Sequence, residues 1–74
     1  MGMDQAGTPV LSVIRNEDGG WEVRELGFEE ALSAFDSMTE AKAYADGIAR
    51  TKPGILVEVY GENGELQSRA SPAD

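Results

Sequence analysis

Three groups of residues carry chemistry-bearing side chains at close spacing. Asn16, Glu17 and Asp18 crowd oxygen donors into one turn, the ligand type that calcium takes. Glu29, Glu30 and Asp36 supply carboxylates of the kind that move protons in acid–base catalysis. Ser37 offers a hydroxyl, which acts as a nucleophile only beside a base. Each has a simpler role. The first turn lacks the mid-loop glycine and closing glutamate of a calcium loop, and reads as a solvated turn. The carboxylates have no second domain to close a cleft over them, and read as surface and helix-entry charge. The chain has no His and no Cys, and the spacing of Ser37 to Glu40 already explains the serine as a helix cap. The stretch Gly61 to Gly64 is a hairpin turn and not a phosphate cradle, because no helix follows it. We therefore expect no enzyme, metal or cofactor, and no small-molecule ligand is evident.

The elements that would position any site fit one small domain. Seventy-four residues allow one core at most. Residues 1–9 and 70–74 read as flexible tails, leaving residues 10–69 as a single domain near the lower size limit for folding without a disulfide or metal. Absent cysteine excludes disulfides and fits a cytoplasmic location. No charged leader and no long apolar run is present, so neither a signal peptide nor a membrane partner is expected. Fourteen Asp and Glu face six Lys and Arg, a net charge of −8. The cations are scattered, which argues against nucleic acid, since phosphate binding needs them clustered. Such acidity serves solubility, and would equally suit a high-salt habitat.

Val10 to Arg15 is rich in β-branched residues and predicts a first strand. Asn16 to Gly20 turns the chain into a second strand, Trp21 to Leu26, with Trp21 and Val23 on one face. Trp21 at a strand start, two positions before Val23, reads as core and not as an exposed recognition residue. Ala31 to Phe35 predicts a third strand, with a helical turn over Glu29 to Leu32 as the alternative. Ser37-Met38-Thr39-Glu40 fits a capping box opening a helix, in which Ala41, Tyr44, Ala45, Ile48 and Ala49 share one apolar arc. Asp46 and Arg50 are spaced for an ion pair, and Pro53-Gly54 is expected to end the helix. Gly47 lies on the polar side, a conformational cost or a point of close contact. Ile55 to Tyr60 is apolar on both sides and predicts an interior strand. Asn63-Gly64 then turns into a polar edge strand, Glu65 to Arg69.

The run of a DGGW turn, a WEV strand, FDS before a TEAKAYADGIA helix and a VEVYGENGELQ hairpin resembles the small bacterial family called domain of unknown function 2188. The resemblance covers Val10 to Ser68 and implies a β-β-β-α-β-β module with no established activity. A second resemblance is to HicB-type antitoxins, which share β-β-β-α-β, a DGG-type turn and a helix rich in Glu-Ala pairs. Here Leu26-Gly27-Phe28-Glu29 departs from the Pro-Gly-Cys type of link in that family, and no DNA-binding extension is expected. That resemblance implies a partner-binding domain.

The expected fold is α+β, one helix on one face of a mainly antiparallel sheet. A meander of three strands, a crossover and a parallel pairing of the fourth strand with the first give the order 3-2-1-4-5. One helix covers one face, and the other must be polar or find a partner. If Trp21, Val23, Val57 and Val59 face the helix, with Leu11 and Val13, the residues Val10, Ile14, Leu26, Leu56 and Tyr60 lie on the far side. An apolar patch of that size marks a protein-interaction or assembly module, as a homodimer or docked on another protein.

Overall fold

The computed structural model describes residues 9–73. Strands β1 (Val10–Arg15), β2 (Trp21–Glu25) and β3 (Ala31–Phe35) precede helix α1 (Met38–Ala49), and β4 (Leu56–Tyr60) and β5 (Leu66–Ala70) follow it. The architecture is the expected α+β one, with a five-stranded sheet in the order β3-β2-β1-β4-β5. β1 pairs in parallel with β4, and the other three pairings are antiparallel. The segment over Ala31 to Phe35 is a strand, which settles the alternative of a helical turn. Of the expected N-terminal tail, only Pro9 falls among the described residues. Its carbonyl accepts the Leu56 N–H at 3.1 Å, and Ala70, placed in the C-terminal tail, is the last residue of β5.

Local sequence explains the turns. Asn16 Oδ1 accepts the N–H groups of Asp18 and Gly20 at 3.0 and 2.9 Å, so its side chain builds the β1–β2 turn. Gly20 is required there, because a Cβ would lie 2.7 Å from the Phe35 carbonyl oxygen. Gly64, at φ +84°, takes the left-handed position of the β4–β5 turn.

The helix begins where Ser37 Oγ accepts the Glu40 N–H at 3.2 Å, the serine half of the expected capping box. It stops at Ala49, earlier than Pro53-Gly54 suggested. The Thr51 N–H and hydroxyl both donate to the Ile48 carbonyl, at 3.0 and 2.7 Å, and so satisfy a carbonyl left over at the helix end. Asp46 pairs with Lys42 at 2.9 Å and not with Arg50, which stands at the C-cap where regular helical spacing ends. The twelve-residue helix is too short to cross a membrane, as is every helix of the described residues.

The core lies between α1 and one face of the sheet. Leu11, Val13, Trp21, Val23, Ile55, Val57 and Val59 meet Ala41, Ala45 and Ala49, with Phe35, Met38 and Ile48 packed around them. Only alanines of the helix are fully interior, so the helix backbone approaches the strands closely. Tyr44, expected within the apolar arc, is exposed and meets Phe35 in a tilted pair with ring centroids 5.2 Å apart. Val13 and Val23 are the largest side chains completely shielded from solvent.

Candidate functional site

Because strand side chains alternate, burying Leu11, Val13, Trp21, Val23, Val57 and Val59 beneath α1 fixes what occupies the opposite face. Register arranges that face in three transverse rows. In the first, the Leu26 N–H bonds the Val10 carbonyl at 2.8 Å, and Val10 lies beside Leu56. In the second, Arg24, Ser12, Glu58 and Arg69 run across β2, β1, β4 and β5. In the third, Glu22 neighbours Ile14, and Tyr60 neighbours Leu66. Ile14, Tyr60, Leu26 and Phe28 line one shallow depression together with Ser12, Arg24 and Glu25.

The middle row departs from a purely apolar patch, and its charges are satisfied internally. Glu58 is nearly buried, with its two carboxylate oxygens divided between partners. Oε1 accepts the Tyr60 hydroxyl at 2.9 Å, and Oε2 accepts Arg69 Nε at 3.0 Å. Arg69 Nη2 also lies 3.0 Å from Oε2. A carboxylate removed from water this far needs such partners. Arg24 pairs with Glu22, and its Nη1 donates to the Glu29 carbonyl at 2.7 Å, tying the β2–β3 connection to the sheet. The Tyr60 phenol is raised above its ordinary pKa, first by its bond to Glu58 and then by desolvation.

Of the five residues singled out in the sequence, Val10, Ile14, Leu56 and Tyr60 are half-buried on this face, and Leu26 stands clear at 70% exposure. Leu26, expected as the last residue of the second strand, lies one residue past the end of β2, which stops at Glu25. Three exposed apolar residues escaped the sequence reading: Phe28, Leu32 and Leu66. Phe28 follows a glycine in a connection with no periodicity. Leu32 lies where the β2–β3 register shifts, and Leu66 meets Tyr60 only because a second shift separates Val59 from Tyr60. An aromatic residue standing in a connection between two strands was the one available signal. The other candidates are dispersed: Glu29, Glu30 and Asp36 are exposed, Ser37 caps α1, and Trp21 is interior with the Arg15 guanidinium 5.6 Å from its ring centre.

A family model described as "Uncharacterized protein conserved in bacteria (DUF2188)" matches residues 11–71, and the chain belongs to this family. No curated protein and no solved structure matches the chain.

Proposed function

We propose that this member of the DUF2188 family is a non-catalytic assembly module that pairs with a second copy through its helix-free sheet face. Val10, Ile14, Leu26, Leu56 and Tyr60 supply the apolar contacts. The observation that supports a second copy is the charge of the face. Its strands carry two acids, Glu22 and Glu58, and two bases, Arg24 and Arg69, each base already bonded to an acid. These four charges balance at the centre of the face, on a chain of net charge −8, so the centres of two such faces meet without local repulsion. Glu17, Asp18 and Glu25 stand at its margin. An isologous pairing also needs only one surface to be self-complementary. Apolar burial at about 25 cal/mol per Å² drives association against the entropy of docking.

Acids elsewhere on the two chains still repel across the dimer, and this repulsion is screened over about 8 Å at physiological salt. Salt should then tighten the pairing. Light scattering across a concentration series tests the reading, with Leu56→Glu expected to give a folded monomer. A wild-type chain that stays monomeric at high micromolar concentration in moderate salt rules it out.

A further inference from the structure

β3 is an edge strand, paired with β2 on one side and, among the described residues, with nothing on the other. Its sequence, Ala31-Leu32-Ser33-Ala34-Phe35, contains no charge and no proline, two devices that commonly keep an edge from recruiting a further strand. The opposite edge, β5, carries Arg69. The register shift in β3 falls early, and Ser33, Ala34 and Phe35 continue in regular register. Acids bracket the strand, with exposed Glu29 and Glu30 before it and exposed Asp36 after it. At its start, Glu25, Phe28, Glu29, Glu30 and Leu32 line a depression in which Phe28 and Leu32 are 63% and 43% exposed.

These charges disfavour a second copy at this edge. Antiparallel pairing about Ser33 sets Glu30 opposite Asp36 of the other copy, twice over. Parallel in-register pairing sets Glu30 beside Glu30 and Asp36 beside Asp36. In both of these registers acid meets acid, which destabilises a strand pair.

We propose that the β3 edge takes up an extended segment of another protein, uncharged along the strand and flanked by Lys or Arg. Backbone hydrogen bonds supply the affinity, and the depression supplies selectivity. The apolar stem of a flanking Lys or Arg lies between Phe28 and Leu32, and its charged head reaches Glu25, Glu29 and Glu30. Glu25 and Phe28 border both this surface and the self-pairing face, but the β3 backbone edge belongs to this one alone, so exchange in β3 reads it apart from self-pairing.

The test is amide hydrogen exchange on the labelled full chain with two synthetic peptides. Both share one uncharged β-branched core; one is flanked by Arg and the other by Glu. The Arg-flanked peptide should slow exchange in β3 and bind about tenfold more tightly, the scale of a few exposed ion pairs. Glu29→Lys with Glu30→Lys, at exposed positions outside the core, should reverse the preference. Absent β3 protection, equal binding of the two peptides, or a preference that survives the charge reversal overturns the proposal. Protection of β3 that rises with protein concentration alone assigns the edge to a second copy and overturns it too.

Discussion

The Tyr60 hydroxyl donates to Glu58 Oε1 at 2.9 Å, joining two residues that share one face of β4. That bond raises the phenol above its ordinary 10.0, with desolvation and the carboxylate charge adding to it and Arg69 opposing. A raised folded-state pKa contributes stability that is fully present below the unfolded value and is lost as pH rises through the folded one. In an ultraviolet titration, Tyr60 should ionise above 10.0, Tyr60→Phe should remove that late phase, and Glu58→Gln should bring it down. Ionisation of Tyr60 at or below 10.0 in the folded chain would refute the account.

Trp21 is interior, with 7% of its surface exposed. Its removal leaves a cavity beneath the helix alanines that a core built of valines cannot refill. Trp21→Ala should cost about 3–5 kcal/mol, a large part of the stability of a small domain. Chemical denaturation followed by circular dichroism measures the loss. Native tryptophan emission should be blue-shifted relative to the unfolded chain, and emission typical of hydrated indole would contradict the burial.

Two glycines should respond in opposite directions to the same change. Gly47 is exposed on α1, with open space where an alanine methyl would stand, so Gly47→Ala should stabilise by about 0.4–1 kcal/mol. Gly20→Ala drives a Cβ to 2.7 Å from the Phe35 carbonyl oxygen, a backbone atom of β3 that can yield only by shifting the strand. It should destabilise. Paired thermal unfolding curves decide both, and a neutral Gly20→Ala would show that β3 is free to move.

Much of this fold was legible because local signals agree with it. Asn16 and Gly20 mark the first turn, Ser37 the helix start, and Asn63-Gly64 the last hairpin, and alternation about Trp21 and Val23 identifies the buried face. The balance of the open face was harder to read. Glu58 looks like an isolated acid within an apolar strand, and only the β4–β5 register brings Arg69 to it, eleven residues on. The same shifts in pairing that hid Leu32 and Leu66 break the period-two rule on which a reading of faces depends. Tyr44 was misplaced because a narrow alanine stripe suffices for close packing and leaves a large side chain at its margin outside.

The parallel pairing of β1 with β4 also dictates when the chain can fold. β2 returns to β1 after one short turn, whereas Val10 meets Leu56 only after the intervening strands and helix have been made. Closing the longer loop costs more entropy and delays the contact. During synthesis the first hairpin therefore waits, one side of its central strand unsatisfied, until β4 has left the ribosome. A chain cut short within α1 retains that open strand and is a ready substrate for aggregation or proteolysis. The last third of the sequence thus acts as the commitment step for the whole domain.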